Sequence, residues 1–320
     1  MCSSKCERPS GRKYTREIER NGEFGYAAVY NAAMHRRNFL AAGLAATGVA
    51  AAQNQPPIPR KGRIKQSSMR VNFGNKMSFD DMCREAARLG IKGFDLIPPQ
   101  DWPTLKKYGL IPTMGPTGGV TMEDGLIHKE LHDKLEKSMG EAIDLCAASG
   151  CPNMITVGGQ RKGMSYEEGA DHCVAMLNRV KAHAENKGVT ICLEMVNNKF
   201  EDPEFGRKDA ICNHVDWAFD VLKRVNSPRV KLVFDIYHVQ IMDGDICHHI
   251  QQNFPLIAHF HTAGVPGRHL IDETQEINYR FVAKTIADLG FTGYIAHEYR
   301  PTPGGDPLKD LARAIEIMDV

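Results

Sequence analysis

Residues 259–268, HFHTAGVPGR, end a short apolar stretch and then break into a loop that contains two glycines and a proline. The apolar part, residues 256–263 (LIAHFHTA), has the length and composition of a buried β-strand. Since alternate residues of a strand share a face, we expect His259 and His261 to point the same way, with Arg268 in the loop beyond. Two core histidines with hydrogen-bond partners and a surface arginine would give the same local pattern.

The same alternation of apolar stretch and amphipathic segment recurs along residues 64–320 and predicts an α/β fold. Apolar runs such as KLVFD (231–235) are typical of parallel strands that are buried on both faces. Strands are predicted at residues 69–74, 91–97, 109–115, 151–159, 189–196, 230–237, 256–263 and 293–299. Helices are predicted at residues 79–90, 102–108, 128–149, 165–187, 213–225, 243–254, 279–289 and 307–318. This rhythm over roughly 250 residues predicts a single-domain (β/α)8 TIM barrel.

A doubly wound open sheet has the same rhythm and is the alternative fold. The sequence has no G-x-G-x-x-G motif after its first predicted strand, and the absence of this motif argues against the open sheet. It also has no P-loop and no G-x-S-x-G motif.

Composition narrows the class of protein further. With 42% hydrophobic residues in 320, the chain can bury a sizeable core. The net charge of +1 argues weakly against a nucleic-acid binder, which usually carries a basic patch. The nine cysteines are scattered and show no C-x-x-C pair, so they predict neither a disulfide framework nor a structural zinc site.

The amino-terminal part is predicted to lie outside the barrel. Residues 34–52 (MHRRNFLAAGLAATGVAAA) place two arginines before a short Ala-rich run with an A-x-A cleavage site, the layout of a twin-arginine signal peptide. The run is too short for a stable membrane span, and a buried Ala-rich helix is the alternative. Residues 1–33 are interpreted as a disordered extension or a mis-assigned start, residues 53–63 as a linker and residues 64–320 as the barrel.

We therefore expect export to the periplasm and removal of residues 1–52. Replacing Arg36 and Arg37 with lysine should retain the protein in the cytoplasm, because lysines do not substitute for the arginine pair that such signals carry. Cell fractionation checks this, and normal export of the double variant would contradict the assignment.

Four successive predicted strands end in an acid or a histidine: Glu194, Asp235, His261 and Glu298. In a barrel these carboxyl ends converge on one face, where active sites form. Glu194, Asp235 and His261 each follow an apolar residue, and a buried charge is costly unless it is paired or binds a metal. Any one of them alone fits a buried ion pair. Together, three carboxylates and an imidazole suit Mn²⁺ or Mg²⁺ best, with Co²⁺ or Zn²⁺ as further candidates.

Polar side chains in the neighbouring loops are candidate substrate ligands. His238 lies three residues past Asp235, and a surface histidine that begins a helix is its alternative interpretation. Arg268 and Asn197 lie in loops at the same face.

Three segments carry a family resemblance: KLVFDIYHVQIMDGD (231–245), AHFHTAGVPGRHLIDETQEINY (258–279) and GYIAHEYRP (293–301). They resemble the hydroxypyruvate isomerase group of the xylose-isomerase-like superfamily of TIM-barrel sugar isomerases and epimerases. The resemblance extends from about residue 64 to the carboxyl terminus. It implies one divalent metal ion held by Glu194, Asp235, His261 and Glu298. It further implies that His238 and Arg268 contact substrate and that Glu194 and Glu298 act as acid and base.

The resulting expectation is a metal-dependent isomerase that acts on a small sugar or hydroxy-keto acid by proton transfer through an enediolate. Many members of the group carry glutamine at the position of His261, and the histidine matches the ketose-epimerase pattern instead. A ketose 3-epimerase or related sugar epimerase is therefore the alternative. A periplasmic sugar-binding protein without activity and a phosphodiester endonuclease on the same fold are weaker alternatives. The sequence leaves open whether the chain forms a homo-oligomer.

Overall fold

Eight parallel strands form the centre of the computed structural model. They are β1 Lys65–Ser68, β2 Gly93–Asp95, β3 Ile111–Met114, β4 Asn153–Val157, β5 Thr190–Glu194, β6 Val230–Asp235, β7 Ile257–Thr262 and β8 Tyr294–His297. Their order in the sheet is β3-β2-β1-β8-β7-β6-β5-β4. The two end strands meet through a parallel bridge in which the Gly115 amide donates to the Asn153 carbonyl at 2.8 Å. The predicted (β/α)8 TIM barrel is thereby confirmed.

Helices surround the strands and follow the predicted rhythm. They are α1 Phe79–Leu89, α2 Trp102–Lys107, α3 His132–Ser149, α4 Tyr166–Lys187, α5 Val215–Val225, α6 Ile236–Met242, α7 Ile246–Asn253, α8 Tyr279–Asp288 and α9 Pro307–Met318. The boundaries have local causes. Ser78 caps α1 by accepting from the Asp81 amide at 3.1 Å, and Gly90 ends that helix in the left-handed region with φ 96°.

The structure describes residues 56–74, 77–199 and 209–320. The predicted extension and signal peptide lie outside those ranges, so these assignments stay predictions. Residues 56–63 of the predicted linker contact the barrel, since the Ile58 amide and the Arg60 guanidinium donate to the carbonyls of Arg88 and Leu89. Among the described helices, none is long and apolar enough to cross a bilayer. The seven described cysteines are all free, and six of them are buried, which is typical of cysteines that pack as small hydrophobic residues.

The inside of the barrel is divided into an apolar and a polar part. On β3 to β6, four apolar side chains pack together: Met114, Ile155, Cys192 and Val233. On β1, β2 and β7, four buried side chains are polar or ionisable: Ser67, Asp95, His259 and His261. The expectation that His259 and His261 share a face is confirmed, since both are buried and lie beside the same Asp95 carboxylate.

The first strand was predicted at the wrong place. Residues 69–74 form a 3-10 helix, Arg70–Phe73, whereas the strand is the polar segment KQSS just before it. That segment can lie in the barrel because distant groups satisfy its polar side chains. Gln66, for example, donates to the Ile315 carbonyl at 3.1 Å. The turn after it is fixed by Asn72, which accepts from the Met69 amide and donates to the Tyr299 carbonyl.

The sixth strand ends two residues earlier than predicted, and a helix that the sequence analysis missed follows it directly. The carboxylate of Asp235 accepts from the backbone amides of Tyr237 and His238 at 2.8 and 3.3 Å and so caps α6. This cap turns the chain at the end of β6 and places His238 in the first turn of the helix.

Candidate metal centre and active site

The four predicted metal ligands converge at the carboxyl ends of β5 to β8. One ligand atom from each of Glu194, Asp235, His261 and Glu298 lies within 4.8 Å of the other three. His261 is at the centre, with its Nδ1 atom 3.1 Å from Glu194 Oε1 and 2.9 Å from Glu298 Oε2. Register explains part of this convergence, because Asp235 and His261 are paired on β6 and β7.

The four side chains differ in exposure. Asp235 and His261 are each 1% exposed, whereas the side chains of Glu194 and Glu298 are 13% and 17% exposed. The two glutamates therefore face both the ligand cluster and the open cavity. They are the members of the set that a small molecule in the cavity can touch.

The charges of the cluster are poorly balanced without a cation. Burial, together with the neighbouring Glu298 charge, raises the pKa of Asp235 to about 7 against the opposing effect of Arg268. Burial alone lowers the pKa of His261, but Glu298 and the other carboxylates beside its ring raise that pKa well above its ordinary value. Three carboxylates thus share a buried space that favours a bound proton or another cation.

Arg268 supplies one positive charge to this cluster from the loop after β7. Reciprocal backbone hydrogen bonds of 2.7 and 3.2 Å between Gly264 and His269 close the loop. Arg268 adopts φ 58°, in the left-handed region, which a non-glycine residue keeps only when its surroundings hold it there. Its guanidinium forms an ion pair with Glu298 and lies 3.9 Å from Asp235 Oδ2.

His238 and Asn197, two predicted substrate ligands, are fully buried beside Asp235. The Asn197 backbone amide donates to His238 Nδ1 at 3.0 Å, and His238 Nε2 lies 3.4 Å from Asp235 Oδ2. Neither residue lines the cavity described next, and their contact with substrate stays a prediction. The alternative of a surface histidine is wrong, since His238 is 0% exposed.

A cavity of about 420 Å³ opens beside the exposed edges of the two glutamates. Three arginines line it, Arg70, Arg268 and Arg300, and the guanidinium group of Arg70 forms an ion pair with Asp101. Much of the remaining wall is apolar, with Val71 and Leu96 among its residues. One part of the cavity surface is therefore charged and another part is apolar, as is common in sites that bind small molecules.

The sequence analysis missed Asp95, Arg70 and Arg300. Asp95 shows the same pattern as the four predicted ligands, because it is an acid near the end of a predicted apolar strand, residues 91–97 (IKGFDLI). Arg300 lies two residues past Glu298, a position that could have been found by extending the search into the loop after β8. Arg70 had no signal, because residues 69–74 were predicted to be a strand.

A sequence model of the xylose isomerase-like TIM barrel family matches residues 83–319, which include all four clustered ligands. The chain belongs to that family. The match covers the barrel from α1 to the end of α9.

Within the family, sequence relatives carry isomerase names. A protein from Haemophilus influenzae, named 2-oxo-tetronate isomerase, is 27% identical over 238 residues, which cover 71% of this chain and 90% of the relative. A protein from Danio rerio, provisionally named hydroxypyruvate isomerase, is 28% identical over 161 residues, 50% of this chain. The matches to that relative and to a similarly named one from Xenopus laevis span 56% and 64% of those proteins' lengths.

Solved structures share the fold at low sequence identity. An AP endonuclease, family 2, from Brucella melitensis has a TM-score of 0.68 and 23% identity, covering 78% of this chain and 98% of its own. A D-psicose 3-epimerase from Clostridium cellulolyticum has a TM-score of 0.64 and 16% identity, and the match covers 80% of this chain and 98% of the epimerase. The IOLI protein, solved with a bound zinc atom, has a TM-score of 0.60 and 16% identity, with 80% and 95% covered.

Proposed function

We propose that the protein is a metal-dependent isomerase that transfers a proton between adjacent carbons of a small hydroxy-carbonyl compound through an enediolate. The observation that carries this proposal is the convergence of three carboxylates and one imidazole at the ends of four successive strands, beside a cavity. The isomerase names of the sequence relatives support the same reaction class.

The four ligand residues fit a divalent cation. Their donor atoms are three carboxylate oxygens and one imidazole nitrogen, a set that suits Mn²⁺ or Mg²⁺ and also accommodates Co²⁺ or Zn²⁺. A buried carboxyl group whose pKa is raised to about 7 is only partly ionised at neutral pH, and a bound cation would favour its ionised form. When bound, a divalent ion would polarise the substrate carbonyl and acidify the neighbouring C–H bond.

The chain's own residues then have distinct roles. Glu194 and Glu298 reach the cavity from β5 and from the end of β8, so one of them can remove the proton and the other can return it. Arg268 forms an ion pair with Glu298, which orients that carboxylate. Val71 and Leu96 give one side of the cavity an apolar surface.

The substrate class follows from the charges that line the cavity. Arginine pairs well with carboxylates because its planar group can donate two parallel hydrogen bonds. Arg300, which lines the cavity, would therefore favour a hydroxy-keto acid over a neutral sugar of the same size, and Arg70 adds a second guanidinium that is shared with Asp101. Compounds of the kinds named in the relatives, hydroxypyruvate and 2-oxo-tetronates, belong to this class.

An epimerase is the second candidate, and the size of the cavity favours it. A volume of about 420 Å³ corresponds to roughly 14 water molecules at about 30 Å³ each. A three-carbon acid would leave much of that space open, whereas a ketose or a larger keto sugar would fill more of it. The same two glutamates would then exchange a proton on opposite faces of one carbon.

Incubation with Mn²⁺ in D₂O tests the reaction class on a panel of hydroxy-keto acids and ketoses. We expect deuterium to enter at the carbon next to the carbonyl of at least one panel member, because proton abstraction precedes either isomerisation or epimerisation. Proton NMR of the products distinguishes the two outcomes. Absence of exchange across the panel, in protein shown to have bound Mn²⁺, would count against proton-transfer chemistry.

A further inference from the structure

Asp95 is a fully buried carboxylate at the carboxyl end of β2, next to the ligand cluster but not a member of it. Its Oδ1 atom accepts hydrogen bonds from the hydroxyl groups of Thr113 and Ser67, the latter at 3.3 Å. Its Oδ2 atom lies 2.7 Å from His259 Nε2 and 3.2 Å from His261 Nε2. Every polar contact of this carboxylate is thus with a side chain inside the barrel.

The contact with His261 determines which ring nitrogen is available to a metal ion. An ionised carboxylate can only accept hydrogen bonds, so the Nε2 atom of His261 must carry the hydrogen. In a neutral imidazole the other nitrogen, Nδ1, then has a free lone pair. That nitrogen is the one that faces Glu194 and Glu298, at 3.1 and 2.9 Å.

We propose that Asp95 is a positioning residue that orients His261 for metal binding through Nδ1. The inference rests on the proposed function, because it assigns the direction from which His261 binds the ion proposed there. A second carboxylate behind a metal-binding histidine fixes the ring and raises its basicity, and losing such a partner typically lowers metal affinity by about 10–100-fold.

Another buried histidine of the barrel wall shows what a purely structural contact looks like. His297 on β8 lies 3.0 Å from the Thr262 hydroxyl and 2.9 Å from the Gln66 amide oxygen, so both of its partners are neutral. The contact of His261 with the Asp95 carboxylate is more costly than these neutral contacts of His297, because a buried ionised group needs a compensating partner. His259, on the same strand as His261, provides part of that compensation because its Nε2 atom lies 2.7 Å from the Asp95 carboxylate.

The same three residues, Asp95, His259 and His261, also bring their donor atoms within 4.8 Å of one another. A second cation there would need the Nε2 atom of His261, which is then no longer a hydrogen-bond donor to Asp95. The two arrangements therefore predict different stoichiometries, one ion per chain if Asp95 is a positioning residue and two if it is a ligand.

The experiment measures metal affinity and the site of ring protonation in the full chain. Calorimetric titration with Mn²⁺ should give one ion per chain, with affinity about 10–100-fold lower in Asp95→Leu. Asp95→Asn should lie between Asp95→Leu and the wild type, because its amide oxygen still accepts from Nε2–H while its charge is lost. Ser67→Ala, which removes another contact of the same carboxylate, and His297→Gln should bind Mn²⁺ nearly as the wild type does.

A spectroscopic readout does not depend on the variants folding. In ¹⁵N-histidine NMR of the Zn²⁺-loaded wild type, His261 should carry its hydrogen on Nε2 and the metal on Nδ1. The opposite assignment, two ions per chain, or unchanged affinity in Asp95→Leu would each overturn the role of Asp95 while leaving the proposed function standing. Failure of the wild-type protein to bind any divalent ion would overturn both.

Discussion

Replacing Glu298 or Glu194 with glutamine is expected to lower turnover by about 10²–10⁴-fold, the usual contribution of a general acid or base. Glutamine keeps the shape and one oxygen donor of glutamate but cannot take up the substrate's proton. Since glutamine has nearly the same size and both side chains reach the cavity, the substitution should leave the fold intact.

The two variants should differ in one respect. Glu298 forms the ion pair with Arg268, whereas Glu194 contacts His261 and no arginine among the described residues. Glu298→Gln therefore leaves a mostly buried guanidinium with less compensation, and we expect it to lose more thermal stability than Glu194→Gln. Comparable losses of turnover with different losses of stability would separate the chemical role of Glu298 from its structural one.

The direct readout is exchange of the substrate's hydrogen with D₂O in Mn²⁺-loaded protein. Glu276→Gln is a matched control, because Glu276 is an exposed glutamate in the segment that follows the β7 loop. The control should exchange as the wild type does. If both single variants still exchange at nearly the wild-type rate with metal bound, neither glutamate is the base.

The sequence predicted the site residues that carry a recognisable local pattern and that the barrel brings to one face. An apolar run followed by a charged residue marks the carboxyl end of a barrel strand, and the structure brings those ends together at β5 to β8. Asp95 carries the same signal on β2, and it was overlooked because only the four consecutive strands were compared.

Other features depend on contacts that no local pattern contains. The first strand, KQSS, is polar, and it lies in the barrel because Gln66 finds partners at Ile315 and His297, more than 200 residues away. The burial of His238 depends on α6 starting directly after β6, which the Asp235 cap produces. Hydrogen bonds between residues so far apart in the chain cannot be predicted from the hydrophobic periodicity of the sequence.

Asp235→Asn is expected to have opposite effects on metal binding and on the stability of the metal-free fold. Asparagine caps helices as well as aspartate does, so α6 should be retained. It has no charge, so the Mn²⁺ site loses one of its three carboxylates. Saturating Mn²⁺ at about 100 times its Kd stabilises a native state by about 2.7 kcal/mol. The variant should lose most of that stabilisation.

Without metal, the variant should be the more stable protein at neutral and higher pH. The pKa of Asp235 is raised from its ordinary value of 3.8 to about 7 in the folded chain. A carboxyl group whose folded pKa is raised binds its proton more tightly in the native state, so wild-type stability falls as pH rises from about 4 to about 7. The variant lacks this loss, because asparagine does not titrate.

Thermal melts in EDTA and in Mn²⁺ at pH 5 and pH 8 measure both effects. In EDTA the Tm advantage of Asp235→Asn should be small at pH 5 and larger at pH 8, at about 2–4 °C for each kcal/mol in a domain of this size. Mn²⁺ should raise the Tm of the wild type much more than that of the variant, and more at pH 8 than at pH 5, since binding requires Asp235 ionised and Nδ1 of His261 unprotonated. A variant that is less stable than the wild type in EDTA at pH 8 would show that the crowded carboxylates do not destabilise the metal-free fold. An undiminished Mn²⁺ shift in the variant would remove Asp235 from the ligand set.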